Sequence, residues 1–165
     1  MSYLSTYSCR NVQINYAGMN LESGKGDDTF VTIEYNSDRF SSTTGCSGDT
    51  AVSLSPDHSA IITLTYQATS DSAKLLTFMN GGLRLSEMNG EPVLGAGPLG
   101  IVDPSGSTYA LAKEAALQSV GTNTLGLGEN TRDFVFHVPV LAETALPDVL
   151  SNKLGDLGLS LLPAV

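Results

Sequence analysis

The chain has 165 residues, of which 41% are apolar, 7% are aromatic and none is tryptophan. Its 17 acidic and 8 basic residues give a formal net charge of -9. This length suits a single domain with its own core, and the absence of an apolar run of about 20 residues excludes a membrane-spanning helix. The acidity disfavours direct nucleic-acid binding, which relies on lysine and arginine, and the scarcity of aromatic platforms disfavours a carbohydrate-binding module.

The N-terminal residues alternate as a strand does and lack the basic and apolar blocks of a secretory signal. We therefore expect a soluble protein that is made in a cytoplasm. Residues 6–14 predict a first strand and residues 18–22 a short partner strand. A glycine-rich, acidic loop follows at residues 23–28.

Acidic residues are concentrated in the first third of the chain. Between positions 22 and 57, two basic residues, Lys25 and Arg39, stand against Glu22, Asp27, Asp28, Glu34, Asp38, Asp49 and Asp57. Such a cluster is typical of solvated turns and strand faces. The alternative is that the negative charge of this surface has a function, such as repelling a polyanion.

Residues 29–44 predict a polar β-hairpin. Its first strand takes residues 29–35, its return strand takes residues 39–44, and its tip is formed by Asn36, Ser37 and Asp38. Strands this polar rarely cover a core on both faces. The hairpin should therefore face water or find its partners outside its own domain.

A strand followed by a helix is predicted at residues 59–80. Residues 61–66 alternate, and Thr69 and Ser70 are suitable residues for a helix N-cap. Three apolar side chains then fall on one helix face: Leu75, Phe78 and Met79. We expect Asn80, Gly81 and Gly82 to end the helix after about ten residues, which is too short to stand alone, so it should lie on a sheet.

The second half of the chain is less regular. Residues 95–100 read GAGPLG, a literal GxGxxG, but no clean strand precedes it and little room is left for a following helix, so a dinucleotide site is not expected. Residues 107–119 have helix-forming composition yet alternate without a clean face. Residues 132–138 predict a strand, and a leucine-rich arm at residues 141–165 should fold back or dock on a neighbour.

Neither the cysteines nor the histidines form a recognisable site. Cys9 and Cys46 lack metal-ligand spacing, so we expect two small buried thiols on strands, and His58 and His137 stand beside no obvious nucleophile. Catalytic and phosphate-binding motifs are missing as well. We therefore expect no enzyme activity, no cofactor and no metal, although folding could still bring scattered carboxylates together.

The order of these elements resembles the tail tube (major tail) proteins of long-tailed bacteriophages over residues 6–140. The most specific part is IITLTYQATSDSAKLL at residues 61–76, and DPSGSTYALAKEAAL and RDFVFHVPV follow the family's pattern. The resemblance favours a strand at residues 107–119. It implies a mainly β fold of two packed antiparallel sheets, a β-sandwich or barrel, with one flanking α-helix and a long protruding β-hairpin.

The same resemblance implies a structural virion protein that is assembled in the host bacterial cytoplasm. Such a protein forms homohexameric rings that stack into the tail tube, which is the conduit for DNA ejection. DNA passes through the tube without specific binding. No membrane is expected among the protein's partners. Tail sheath, tape-measure, baseplate initiator and tail terminator proteins are its implied partners. The tail-tube-like domain would take residues 1–140 and the C-terminal arm residues 141–165.

Two sets of candidate site residues follow. Carboxylates on a channel wall repel phosphate, and Glu34 and Asp38, on or beside the hairpin, are the candidates for the lumen. Ring closure would cover the open edges of the hairpin. The candidates for subunit contacts are Asn36, Ser37, Arg39, Phe40, Leu157, Leu159 and Leu161.

Other functions remain open at this point. A tail-tip or baseplate tube initiator, or the tube of a contractile secretion system, would share the fold and ring symmetry. A β-sandwich binding module would instead be monomeric and carry a ligand patch. A hydrolase would need a cleft with convergent carboxylates or a serine and histidine pair.

Overall fold

The computed structural model describes residues 7–26, 28–91, 93–105 and 108–144. No helix within these ranges is long and apolar enough to cross a membrane. In chain order the elements are a short 3-10 helix (Cys9–Asn11), β1 (Gln13–Tyr16), β2 (Met19–Asn20), β3 (Val31–Tyr35), β4 (Phe40–Thr44), β5 (Thr50–Leu54), β6 (Ala60–Gln67), α1 (Asp71–Met88), β7 (Gly97–Val102), β8 (Tyr109–Val120), β9 (Thr131–Val138) and β10 (Leu141–Thr144).

The strands other than β4 and β5 form one antiparallel path in the order β2-β1-β7-β8-β9-β6-β3, with β10 beside β8. The first part of β8 pairs with β7 and β10, and its last part pairs with β9 after a register shift between Leu117 and Ser119. Tyr16 of β1 contacts Phe136 of β9, so the two halves of the path, which are joined by β8, pack face to face. β4 and β5 make a separate hairpin. The mainly β fold with one flanking helix and a protruding hairpin is thereby confirmed.

The core lies between the two sheets, where β6 and β9 bury every second residue. Tyr16 of β1 meets Phe136 of β9 with ring centroids 4.8 Å apart and ring planes at 61°, an edge-on arrangement that aromatic pairs favour. The Tyr16 hydroxyl donates to the Ala115 carbonyl at 3.0 Å, and the Tyr66 hydroxyl donates to the Leu21 carbonyl at 2.7 Å. Burial raises the pKa of both tyrosines.

Residues 109–120 form a strand in spite of their helix-forming composition. Ala110, Ala112 and Ala115 are buried, and this part of β8 pairs with β7 on one side and β10 on the other. Pairing on both edges outweighs the weak intrinsic preference of alanine for helices. The GxGxxG segment runs directly into β7, so its glycines do not open a helix.

The predicted pairing of residues 29–35 with residues 39–44 in one hairpin is wrong. β3 pairs with β6, and β4 pairs with β5, so the observed hairpin spans residues 40–54. Asn36, Ser37 and Asp38 connect β3 to this hairpin and do not form its tip. The reason is packing, since Val31 and Ile33 pack against the core and hold β3 in the main sheet.

The helix starts where the sequence predicts but does not end there. The Ser70 hydroxyl accepts a hydrogen bond from the Ala73 N–H at 3.2 Å, which confirms the N-cap. The helix continues through Gly81 and Gly82 to Met88, so the predicted end is wrong. The left-handed glycine that follows a helix end is Gly90, with φ +85°.

The N-terminal segment and the two thiols also differ from expectation. Residues 9–11 form a 3-10 helix, so the first strand starts only at Gln13. Cys9 lies in this 3-10 helix and Cys46 in the turn between β4 and β5, and both are free and exposed. The expectation of buried thiols on strands is therefore wrong.

Candidate subunit-contact surfaces

The β4–β5 hairpin is exposed at every strand residue. Its turn is closed by the Gly45 N–H, which donates to the Asp49 carbonyl at 2.8 Å, and by the Gly48 N–H, which donates to the Gly45 carbonyl at 3.0 Å. Gly48 has φ +85°, a conformation that favours glycine. An isolated two-stranded ribbon is only marginally stable in water, so contact with a partner would stabilise this one.

The two faces of the hairpin differ in chemistry. Directly opposed residues share a face, so the pairs Phe40 with Leu54 and Ser42 with Val52 place three large apolar side chains together. These side chains are 53% (Phe40), 59% (Val52) and 71% (Leu54) exposed. The other face carries only small residues, Ser41, Thr43, Ala51 and Ser53.

Hydrogen bonds tie the root of the hairpin to the main sheet. The Asn36 side-chain amide donates to the Ser59 hydroxyl at 2.7 Å, and the Ser37 hydroxyl donates to the Asp57 carboxylate at 3.0 Å. The Ser59 N–H also donates to that carboxylate, at 2.9 Å. Hydrogen bonds from Ser59 and then from Ser37 hold the pKa of Asp57 below its ordinary value. These hydrogen bonds hold the root of the hairpin in one orientation relative to the main sheet.

The predicted contact residues in the first half of the chain gather at this root. Asn36 and Ser37 make the bonds just described, and the Arg39 carbonyl accepts from the Ser55 N–H at 2.9 Å. Phe40 begins β4 and points to the apolar face of the hairpin. The remaining candidates, Leu157, Leu159 and Leu161, lie outside the described residues.

The two candidate lumen carboxylates are both exposed but lie in different places. Glu34 is on β3, opposite Ile61 of β6. Asp38 lines a shallow cleft of about 490 Å³ at the hairpin root, together with Phe40 and Leu54. Glu34 is not among the described residues that line this cleft.

The outer side of α1 carries an apolar stripe that the sequence reasoning assigned to the core. Leu75 is 41% exposed and Phe78 is 83% exposed. The side of α1 that packs on the sheet carries Ser72, Ala73 and Leu76 instead, with Met79 partly buried against the core. Leu85 and Met88 extend the exposed stripe along the helix. The helical spacing of residues 72, 73, 76 and 79 in the sequence was the pattern that indicated which face of α1 packs on the core.

A cleft of about 480 Å³ lies beside β3. Val31 and Ile33 line it from β3, Ile101 lines it from β7, and Val12 lines it from just before β1. The lining also includes three acidic residues, Asp28, Asp103 and Glu143. At one end, the Tyr35 hydroxyl donates to the Glu143 carboxylate of β10 at 3.0 Å. Burial first, and then the hydrogen bond and negative charge of Glu143, raise the pKa of Tyr35 to about 12.

A second cleft, of about 560 Å³, separates α1 from β8 and β9. Arg84, Glu87, Glu114 and His137 line it, and the described lining residues include no serine, threonine or cysteine that could act as a nucleophile. Within the described ranges, no group of three histidine, cysteine or acidic side chains is placed to hold a metal ion.

No family model and no curated protein matches the chain. Solved structures do match its fold. A chain of an extracellular contractile injection system, the PVC sheath/tube terminator in the extended state, aligns with a TM-score of 0.58 and 10% identity, covering 87% of this chain and 100% of that chain. The anti-feeding prophage cap (AFP tube terminating cap) gives a TM-score of 0.57 and 7% identity, covering 88% of this chain and 95% of that chain.

A third structure, the PVC sheath-tube complex in the extended state, aligns with a TM-score of 0.54 and 10% identity, covering 86% of this chain and 93% of that chain. At such low identity the likeness establishes the fold alone. The chain thus has the fold of proteins found in contractile, tail-like assemblies, and its length matches the length of those proteins.

Proposed function

We propose that the chain is a structural, non-enzymatic subunit that assembles into homohexameric rings of a tail-like tube. The observation that carries this proposal is the β4–β5 hairpin, in which every strand residue is exposed and one face is apolar. On a monomer such a ribbon is an aggregation hazard. In a closed ring, the next subunit covers it and no hairpin is left open.

The hairpin root sets the direction of this contact. Asn36 and Ser37 anchor the root, and Arg39 and Phe40 lead into β4, so these residues form or support the contact with the neighbouring subunit. The fold shared with chains of PVC and AFP assemblies supports the same reading. The division proposed from the sequence is a ring-forming body of residues 1–140 and an arm of residues 141–165, but β10 pairs with β8 and so belongs to the body. We propose that the rest of the arm adds a second contact through Leu157, Leu159 and Leu161.

Glu34 and Asp38 are the carboxylates that we assign to the lumen of the tube. Both are exposed, and the chain as a whole is strongly acidic. A negative wall repels a polyanion, so DNA would pass without binding. In a phage particle the further partners would be sheath, tape-measure, baseplate initiator and terminator proteins, with assembly in the host cytoplasm and the virion tail as the final location.

A second role within the same assembly is a ring that ends the tube. Two of the three similar structures are a sheath/tube terminator and a tube terminating cap, and they align slightly better than the sheath-tube complex does. A terminating subunit would form single rings and would not polymerise. The length of the assembly therefore separates the two roles.

Electron microscopy and mass measurement on concentrated protein test the proposal. The wild-type chain should form six-fold rings or tubes, and the variant Val52→Asp with Leu54→Asp, which places charge on the apolar hairpin face, should remain monomeric. A matched control, Ala51→Asp with Ser53→Asp, adds the same charge to the other face and should still assemble. Equal loss or equal retention of rings in the two variants would contradict the assigned face.

The lumen assignment has its own test on assembled particles. A single cysteine at position 34 or 38, in a chain with Cys9→Ser and Cys46→Ser, should react with a small maleimide but slowly with a bulky polymer-linked one. A cysteine at Thr43 on the hairpin of unassembled protein calibrates the two reagents. Equal reaction with both reagents after assembly would place these positions on the outer surface.

A further inference from the structure

β3 is the last strand of its sheet, and among the described residues no strand pairs with its outer edge. On the inner side, the Phe30 carbonyl accepts a hydrogen bond from the Thr65 N–H of β6 at 2.9 Å. The Asn36 N–H donates to the Ser59 carbonyl, just before β6, at 3.1 Å. Hydrogen-bonded pairs alternate along an antiparallel ladder. The backbone N–H and C=O groups of Val31, Ile33 and Tyr35 therefore point away from β6 and are free to pair with another strand.

The open edge lies next to the cleft of about 480 Å³ described above. Val31 and Ile33 are only partly buried there, and the facing wall includes Val12 and Ile101. A row of free backbone groups beside a cleft whose lining is partly apolar and partly acidic can accept an added strand, with the backbone supplying affinity and alternate side chains supplying fit.

One segment of the sequence outside the described residues has the pattern of such a strand. Leu157, Leu159 and Leu161 alternate with Gly158 and Ser160. In an extended chain the three leucines would share one face and the small residues the other. The segment has five residues, as β3 does, and its leucine face suits the apolar part of the cleft, which is formed by Val12, Val31, Ile33 and Ile101.

We infer that residues 157–161 of a neighbouring copy add to the outer edge of β3 as an antiparallel strand. The inference rests on the proposed ring and specifies the contact made by the C-terminal arm. The length of the linker allows the segment to reach a neighbour. Residues 145–156 span up to about 40 Å when extended, roughly the width of a domain of this size. A return to the cleft of the same subunit, which begins at Glu143, would need only a few residues.

Disulfide trapping in the full-length chain tests this contact. In the background Cys9→Ser and Cys46→Ser, Ile33→Cys is combined in turn with cysteine at 157, 159 and 161, and with cysteine at 158 and 160 as matched controls. Directly opposed residues on adjacent antiparallel strands have Cα atoms about 4.5–5.5 Å apart, which lies within the Cα separation that a disulfide spans. At least one odd-numbered position should yield covalent ladders under oxidising conditions, and the even-numbered positions should not.

The outcomes separate this contact from the ring itself. Rings without any ladder, or ladders from even-numbered positions only, would overturn the added strand and leave the ring proposal standing. Monomers in which the two thiols join within one chain would show that the arm serves its own subunit and would also overturn it. Wild-type protein without rings under every condition would count against the proposed function. Val31→Cys is the second site if Ile33→Cys impairs folding.

Discussion

The Tyr35 hydroxyl donates a 3.0 Å hydrogen bond to the Glu143 carboxylate, and this bond links the end of β3 to β10. The two residues are far apart in sequence and lie on strands that do not pair with each other. The bond therefore joins β3 to β10 at the end of the cleft that Glu143 lines. The titration of Tyr35 can report on that region.

Tyr35 should titrate abnormally, and replacing Glu143 should reduce the abnormality. The pKa of Tyr35 is raised from 10.0 to about 12, by burial first and by Glu143 second. Glu143→Ala removes the hydrogen bond and the charge but leaves most of the burial, so the pKa should fall only part of the way towards 10.0. Ring signals of isotope-labelled tyrosine, followed by NMR against pH, measure the shift, and Tyr35→Phe assigns the signal.

The hydrogen bond between Tyr35 and Glu143 should also make the free energy of unfolding decrease at high pH. Because the folded-state pKa is raised, the stabilisation is fully present below pH 10.0 and is lost as the pH rises towards about 12. In that range the free energy of unfolding should decrease more steeply for the wild type than for Glu143→Ala. The buried Tyr16 and Tyr66 act equally in both proteins. Parallel curves for the two proteins would mean that Glu143 does not influence Tyr35.

The two adjacent leucines of α1 should respond very differently to truncation. Leu76 is fully buried and Leu75 is 41% exposed. Leu76→Ala should lower the free energy of unfolding by about 2–5 kcal/mol, because it leaves a cavity in the core. Leu75→Ala should change it by less than about 0.5 kcal/mol in the monomer. Denaturant titration measures both, and equal losses would contradict the assignment of the helix faces.

The sequence predicts the parts of this fold that depend on local periodicity. β6 and β9 each bury one face, so their alternation is clear, and Ser70 caps α1 where the residues indicate. β8 is different, because alanine composition predicts a helix and only pairing on both edges explains the strand. There the family resemblance gave the right answer and the residues alone did not.

The errors share a physical cause, which is that non-local contacts decide between local patterns of equal quality. β3 could pair with β4 or with β6, and core packing of Val31 and Ile33 decided for β6. α1 has apolar residues on two sides, so periodicity alone could not tell the core face from the exposed stripe containing Leu75 and Phe78. Of the candidate site, the sequence located the hairpin root but not the apolar face completed by Val52 and Leu54.

Removing the cap of α1 should cost a modest, measurable amount of stability. The Ser70 hydroxyl accepts the Ala73 N–H at 3.2 Å and so satisfies one of the free donors at the start of the helix. Ser70→Ala should lower the free energy of unfolding by about 1 kcal/mol. Ser53→Ala, on the exposed hairpin, is the control and should leave it within about 0.5 kcal/mol of wild type. Indistinguishable unfolding curves would show that the cap is not used in solution.

Two glycine-to-alanine substitutions should act in opposite directions. Gly81 lies inside α1, and a Cβ added there meets nothing within 4 Å. Gly81→Ala should therefore raise the free energy of unfolding of the monomer by about 0.5–1 kcal/mol, since glycine inside a helix loses more conformational entropy than alanine. Gly24 has φ +69°, and a Cβ there would lie 2.0 Å from the Ser70 Cβ.

Gly24→Ala should destabilise the monomer by more than about 1 kcal/mol, because alanine is strained at positive φ and the contact with Ser70 cannot be relieved by a side-chain rotation alone. Thermal and denaturant unfolding of the two variants beside the wild type give both signs in one experiment. A loss of stability in Gly81→Ala would contradict this prediction for the monomer, unless the added methyl group meets an atom of a neighbouring subunit. Repeating the measurement at a dilution where the mass is monomeric distinguishes that outcome from a change within the chain.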